Sequence, residues 1–158
     1  MELRNLFPVA GALGAAFFLI GSAAAAPSLP ASLNGFVHYS TSKYGGKISD
    51  KYVQKTSIQA LQSGKNLPYG TAVVGIEYRD QNGKRGPVLR YIIMEKVRNS
   101  GKDYPASVRN GDWEFASYTP ARALITNDPV TRRLACHKSQ AQSDYLFGLN
   151  EMKSFKLK

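Results

Sequence analysis

Residues 71–97, with the sequence TAVVGIEYRDQNGKRGPVLRYIIMEKV, decide the fold of this chain. The side chains from 71 to 79 alternate with the period of a β-strand. One face of that strand carries Ala72, Val74, Ile76 and Tyr78, and the other carries Val73, Gly75, Glu77 and Arg79. Asn82-Gly83 follows as a strong reverse-turn pair, because both residues tolerate a positive φ. Val88 to Val97 supplies the return strand, so the segment predicts an antiparallel hairpin.

Two segments outside the hairpin are also predicted as strands. Gly35 to Thr41 and Asp112 to Tyr118 have the aromatic and β-branched residues typical of strands. Trp113 and Phe115 share one face of the second segment, and we expect that face to lie in the core.

Helices are predicted on both sides of the hairpin. Ser49 to Ser63 has an imperfect apolar face, a capping residue at its start and Gly64 at its end. Thr131 to Gln142 is the second helix, and the short apolar segment from Asp144 to Phe147 is expected to dock on the sheet.

These elements predict one α+β domain over residues 35–150, mainly an antiparallel β-sheet with two or three helices. Residues 26–34 form a leader into that domain. The tail from Glu151 to Lys158 carries three lysines and is expected to fray.

Composition limits the classes of site and partner. The chain has 158 residues and one cysteine, which excludes an internal disulfide and a zinc site made of four cysteines. Its formal net charge is +10, from 21 Lys and Arg against 11 Asp and Glu. The basic residues are scattered without a recognised nucleic-acid motif, so we expect no nucleic-acid partner. The charge instead favours docking to an acidic redox partner or an anionic membrane surface.

The first 25 residues are predicted to be a secretory signal peptide. A charged start ends at Arg4, an apolar run spans Leu6 to Ile20, and small residues at Ala-x-Ala spacing follow. We place cleavage after Ala25, so that Pro27 does not directly follow the cut. An uncleaved membrane anchor is the alternative, because the uncharged stretch is long enough to span. We expect an exported protein that works in a bacterial periplasm.

One short cluster, Arg133-Leu-Ala-Cys136-His137, points to cofactor chemistry. A c-type haem site has the pattern Cys-x-x-Cys-His, in which two thiolates add to the haem vinyl groups and the histidine binds iron. Cys136 and His137 match the second half of that pattern. As a bare pair they have other interpretations: Cys136 as a small buried residue or unpaired thiol, and His137 as a structural histidine of a helix.

The segment from Arg133 to Phe147 resembles the carboxy-terminal haem segment of the cytochrome P-460 family, where Cys-x-x-Cys-His precedes an Asp-containing apolar motif. Further similar motifs occur in the family's order: Phe36 to Tyr39, Leu67 to Val74, Met94 to Lys96, and Gly111 to Phe115. The resemblance covers roughly residues 35–150. It implies a periplasmic, largely β-sheet mono-haem cytochrome, often a homodimer. The family's enzymes oxidise hydroxylamine, and the related beta-type cytochromes c-prime bind nitric oxide.

The chain departs from this family pattern at two cofactor positions. The family cross-links its haem to a lysine that follows a Gly-Thr-x-x-Val stretch, and here Gly75 follows Gly70 to Val74. Since glycine cannot form that bond, this departure argues against the P-460-type cofactor and its hydroxylamine oxidation. Arg133 stands at the first haem cysteine, which leaves one thioether through Cys136 and an axial ligand in His137. Arg133 is then a candidate contact to a haem propionate, and Gly75 and Trp113 are candidate contacts to the ring.

Two functions stay open on this basis. The first is a haem c protein that binds or redox-processes nitric oxide or hydroxylamine, with the sixth iron position open or closed by Met94 or Met152. Such a protein is an oxidoreductase if haem is bound, and turnover would need a positioned acid or base. Asp128 is a minor candidate for a distal acid, and His38 is a minor candidate for a functional rather than a structural histidine. The second is a haem-free periplasmic binding or interaction module, in which Gly75 marks only a β-bulge or a close approach.

Overall fold

The computed structural model of the protein describes residues 26–157. The predicted signal peptide, residues 1–25, lies outside the described residues. A five-stranded antiparallel sheet with strand order β1-β2-β3-β4-β5 forms the framework, and every strand pairs with its neighbour in sequence. Three α-helices accompany it, which confirms the predicted α+β domain. The elements are β1 (Phe36–Tyr44), β2 (Lys47–Gln54), α1 (Lys55–Gln62), β3 (Ala72–Gln81), β4 (Lys84–Lys96), β5 (Trp113–Tyr118), α2 (Val130–Lys138) and α3 (Leu149–Ser154).

The hairpin of β3 and β4 confirms the prediction from residues 71–97. Its register pairs Val73 with Met94 and Gly75 with Ile92. Asn82 and Gly83 both have positive φ, 53° and 86°, as a tight hairpin turn with the right twist requires. The turn is closed further by a hydrogen bond from the Gly83 N–H to Asp80 Oδ1, at 2.6 Å.

The helix predicted from Ser49 to Ser63 is wrong in its first half. The chain from Lys47 to Gln54 is instead the strand β2, and only Lys55–Gln62 is helical. Because β2 pairs with β1 on one side and β3 on the other, its backbone groups gain ladder partners along both edges. That tertiary pairing outweighs the local helical pattern. Asp50, at the start of the predicted helix, lies in β2 and accepts two hydrogen bonds from Arg85, at 2.5 and 2.8 Å.

The hydrophobic core lies on one face of the sheet. Val53, Val73, Met94 and Phe115 stand side by side there in the register of β2 to β5, and all are buried. The helices cover them with Ile58, Leu134 and Met152, each at most 2% exposed. Full burial of such a side chain contributes about 1.5–3 kcal/mol, so the helices are fixed to this face.

The prediction that the tail frays is wrong. Residues 149–154 form α3, and Met152 on that helix is 0% exposed within the core. Phe155 and Leu157 also pack against the core, and the Phe155 carbonyl accepts a hydrogen bond from Gln62 Nε2 at 2.6 Å. The lysines that suggested a solvated tail alternate with these apolar residues, which face inward.

The leader residues pack on β5 and the loop after it. Tyr118 donates its hydroxyl hydrogen to the Pro27 carbonyl at 2.7 Å, and Arg122 hydrogen-bonds the Pro30 carbonyl. Within residues 26–157, none of the helices is both long and apolar enough to cross a membrane.

Candidate functional site

A cavity of about 840 Å³ lies between the core face of the sheet and α2. That volume is within the roughly 300–1,000 Å³ of ordinary ligand pockets. The sheet contributes apolar walls from Val73, Ile92, Met94 and Phe115, and the segment after α2 contributes Leu146 and Phe147. These walls therefore form an apolar surface suited to a largely apolar molecule, while other residues of the lining, such as Lys51 and Glu77, are charged.

The structure brings four of the five predicted site residues together. Gly75 lines the cavity from β3, and Arg133, Cys136 and His137 line it from α2. Trp113 lies in the core instead, 1% exposed and outside the set of residues that line this cavity. Its indole N–H donates to Asp144 Oδ1 at 3.3 Å.

His137 has the surroundings of a metal-binding histidine. Its Nδ1 lies 2.7 Å from the Tyr145 carbonyl oxygen, and since a carbonyl only accepts, Nδ1 carries the hydrogen. Nε2 then carries the free lone pair, and this nitrogen has no hydrogen-bond partner within residues 26–157. Burial lowers the pKa of the imidazole, which favours the neutral form that binds metals.

Two phenylalanine rings hold the orientation of this imidazole. Phe115 of β5 lies 5.1 Å from it, centroid to centroid, and Phe147 lies 5.0 Å away in an edge-on arrangement. Such offset ring contacts restrict rotation of the imidazole plane. The sheet and the segment after α2 therefore both fix the ring that α2 carries.

Cys136 is exposed and lines the same cavity as the adjacent His137. The alternative interpretation of Cys136 as a small buried residue is therefore wrong, and an accessible thiol lies beside the imidazole. The described residues hold no group of three or more His, Cys, Asp or Glu that could bind a metal ion by themselves. A metal at His137 would need most of its ligands from a cofactor, as haem iron takes four from its porphyrin.

Arg133 is engaged by protein groups. Its Nη2 lies 2.6 Å from Asp128 Oδ2, and the guanidinium also donates to the Ala116 carbonyl and the Ser117 hydroxyl. Only 17% of the Arg133 side chain and 7% of the Asp128 side chain are exposed. Arg132, one residue earlier, also lines the cavity but is exposed and has no ion-pair partner among the described residues.

Gly75 is explained by close packing. The register of β3 with β2 and β4 is regular at this residue, so it does not mark a β-bulge. A Cβ built on Gly75 would lie 2.4 Å from Cγ1 of Ile92, far inside van der Waals contact. Ile92 therefore occupies the space over Gly75 and forms the cavity wall there.

Sequence reasoning missed a polar cluster that also lines the cavity. Glu77, 1% exposed, accepts a hydrogen bond from Arg90 Nε at 2.6 Å and another from the Tyr44 hydroxyl, and Lys47 Nζ lies 3.5 Å away. Burial alone would raise the pKa of Glu77, but the hydrogen bonds from Arg90 and Tyr44 hold it below its ordinary value. The signal was present in the alternation of β3, because Glu77 shares the inward face with Val73 and Gly75.

The donor set and shape of the site fit a haem. The apolar walls suit a porphyrin face, His137 offers a free imidazole nitrogen, and the Cys136 thiol is accessible beside it. Arg132 is a cation without a partner at the cavity, suited to a propionate carboxylate. Neither Arg133, which is already paired, nor the core residue Trp113 adds to this fit.

Comparison with known proteins gives one family. The family model described as Cytochrome P460 matches residues 34–148, a range that contains all five strands and α2. A search of curated proteins finds no match for this chain.

Proposed function

Because the chain belongs to the cytochrome P460 family, we propose that it is a haem protein whose iron is bound by His137 and whose porphyrin is attached through Cys136. Bound haem would supply an iron centre for small ligands and for electron transfer.

One observation carries the proposal: His137 Nδ1 donates to the Tyr145 carbonyl at 2.7 Å. Metal-binding histidines almost always donate their second ring N–H in this way, which fixes the tautomer and raises the basicity of the free nitrogen. A purely structural role for His137 would not explain why Nε2 lacks a hydrogen-bond partner among the described residues beside the cavity. The arrangement therefore favours ligation over the structural alternative.

Attachment is proposed to be a single thioether. Cys136 is the only cysteine in the sequence, and its thiol lines the cavity next to His137. Cys136 would hold the porphyrin by adding its thiol across one haem vinyl group, which would form one C–S bond and place the thiol hydrogen on the neighbouring carbon. Arg132, on the same face of α2 one turn before Cys136, is the proposed partner for a propionate.

The proposed ligand is a small nitrogen species, with nitric oxide favoured over hydroxylamine. Turnover of hydroxylamine requires a group that accepts or gives protons. Two of the three carboxylates that line the cavity are already committed to arginines, and the third, Glu151, is an exposed residue of α3. Glu77 is held ionised by Arg90, and Asp128 is paired with Arg133. Reversible binding needs no such group, and the apolar wall formed by Ile92 suits a small uncharged ligand.

The haem-free module remains the second candidate because of two specific contacts. Arg133 is locked to Asp128, and Ile92 fills the space over Gly75, so protein groups occupy both positions at which the family contacts its cofactor. Under this proposal the same cavity would bind a different molecule. In either case we propose an exported, periplasmic protein whose net charge of +10 assists docking to an acidic partner, with a homodimer as its assembly.

The test is expression in a periplasm that has haem-attachment machinery, followed by absorption spectra with and without nitric oxide. The wild-type chain should carry haem and show a spectral shift with nitric oxide. His137→Ala should alter the spectrum and weaken ligand binding, and Cys136→Ser should make the haem extractable. His38→Ala is the matched control, because His38 is the other histidine and lies outside the residues that line the cavity. Identical spectra for the wild type and both site variants would reject the proposal.

A further inference from the structure

The backbone just after α2 takes an unusual conformation next to His137. Asp144 and Tyr145 are consecutive residues with positive φ, 49° and 61°. The left-handed region is unfavourable for residues with a Cβ, and two in succession require support from elsewhere in the fold. Backbone hydrogen bonds from the Tyr145 N–H to Gln140 and from the Leu146 N–H to Ser143 provide part of that support.

The Asp144 side chain provides the remaining support by binding to the sheet. Its Oδ2 lies 2.7 Å from Lys96 Nζ, and its Oδ1 accepts the Trp113 indole N–H at 3.3 Å. Lys96 ends β4, Trp113 begins β5, and the two residues are register partners. The Lys96 ammonium also lies over the Trp113 ring, 5.6 Å from a ring centroid. The carboxylate is therefore held by a fixed corner of the sheet.

These contacts connect the sheet to the imidazole through one residue. Asp144 fixes the turn, the turn aims the Tyr145 carbonyl, and that carbonyl accepts the His137 Nδ1 hydrogen at 2.7 Å. We propose that Asp144, held by Lys96 and Trp113, is a positioning residue that sets the tautomer and orientation of the His137 imidazole. Its effect on iron binding rests on the function proposed above, whereas its effect on the imidazole does not.

Trp113 has a role in this arrangement although it does not line the cavity. The indole contributes one hydrogen bond to the carboxylate that anchors the turn, and no contact to a bound ligand is required. The group that contacts His137 directly is the Tyr145 carbonyl, and loss of such an outer-shell partner typically changes metal affinity by about 10- to 100-fold.

The test uses ¹⁵N NMR of histidine-labelled protein without haem, which reports the tautomer of each imidazole directly. In the wild type, His137 should be the Nδ1–H tautomer with a slowly exchanging Nδ1 proton. Asp144→Asn and Lys96→Met should both shift His137 toward the Nε2–H tautomer. Both should also speed the exchange of the Nδ1 proton with solvent. Lys153→Met is the matched control, because Lys153 is an exposed lysine of α3, and it should leave the His137 signals unchanged.

A second variant protects the test against simple misfolding. In Asp144→Gly the new residue adopts the positive φ of this position without steric strain. The substitution nevertheless removes the contacts of the carboxylate with Lys96 and Trp113. It should show the same tautomer shift as Asp144→Asn while the circular dichroism spectrum stays that of the wild type. An unchanged Nδ1–H tautomer in the folded Asp144→Gly protein would overturn the proposal, and so would an Nε2–H tautomer in the wild type.

Haem-loaded protein gives an independent measurement. In a Cys136→Ser background, where no thioether retains the cofactor, Asp144→Gly should speed transfer of haem to an acceptor protein by about 10- to 100-fold. An equal transfer rate with and without the substitution would overturn the link to iron binding. A protein that never takes up haem would reject the proposed function and leave the tautomer result standing.

Discussion

Arg133→Cys gives the sharpest test of how the fold has replaced the first cysteine of the haem pattern. The substitution removes the cation that lies 2.6 Å from Asp128 Oδ2 and leaves that carboxylate, whose side chain is 7% exposed, without its ion-pair partner. Removing one partner of a buried ion pair lowers the free energy of unfolding by about 3–5 kcal/mol. Because the Arg133 side chain is 17% exposed, we expect a value at the lower end of that range. We expect a loss of about 3 kcal/mol in the free energy of unfolding, or about 10 °C in Tm.

The assay is denaturant unfolding at pH 7 in the presence of a reductant, so that no disulfide to Cys136 forms. Arg132→Cys is the matched control, because it makes the same change one residue earlier on α2, where the arginine is exposed. It should stay within about 0.5 kcal/mol of the wild type. Adding Asp128→Asn to Arg133→Cys should recover about half of the loss, since the unpaired charge is gone.

Two results would refute this reasoning. Equal costs for Arg133→Cys and Arg132→Cys would show that the buried ion pair contributes nothing. Additive rather than compensating losses in the double variant would show that Asp128 is stabilised by something other than Arg133. If the reasoning holds, the double variant is also the background in which a second thioether is expected to form.

Three further predictions test other parts of the structure. Gly75→Ala should lower the free energy of unfolding by about 1–3 kcal/mol, because the added methyl group overpacks against Ile92. Ile92→Ala in the same chain should remove most of that overpacking, so the two losses should not add. Strictly additive losses would contradict the packing explanation of Gly75. Glu77 has a folded pKa below its unfolded value of about 4.3, so its contribution to stability is present above that pH and is lost as the pH falls through the folded pKa. The unfolding free energy of Glu77→Gln should therefore fall less steeply with acidification than that of the wild type, and parallel acid profiles would argue against the pKa assignment. Met152→Ala should cost about 2–5 kcal/mol because the side chain is 0% exposed, whereas Lys153→Ala should be nearly neutral; equal small effects would mean that α3 is not part of the core.

The sheet was largely predictable because its signals are local. The alternation in β3, the Asn82-Gly83 turn and the aromatic strand β5 each lie within one short window of sequence. β2 was missed because its strand state depends on partners on both sides, β1 and β3, which no local window contains. α3 was missed for a similar reason, since Met152 and Phe155 stabilise this helix only by packing against a core formed by other parts of the chain.

The candidate site was predictable only where a motif marks it. Cys136 and His137 were found from their own chemistry, and the structure places both at the cavity. Glu77 was not found, although it shares the inward face of β3, because a buried carboxylate is recognisable only once its partners Arg90 and Tyr44 are known. The role of Asp144 depends on contacts with Lys96 and Trp113, which lie 48 and 31 residues away in the sequence.

Haem attachment through Cys136 is tested most simply by a pyridine haemochrome spectrum of the purified chain, taken after acid-acetone extraction and denaturation. We expect haem that stays with the polypeptide, with a band between those of haem with two thioethers and unattached haem, and complete extraction from Cys136→Ser. A folded wild-type protein that carries no haem after expression beside a functioning attachment system would contradict this expectation. The search would then turn to a different molecule for the cavity beside His137.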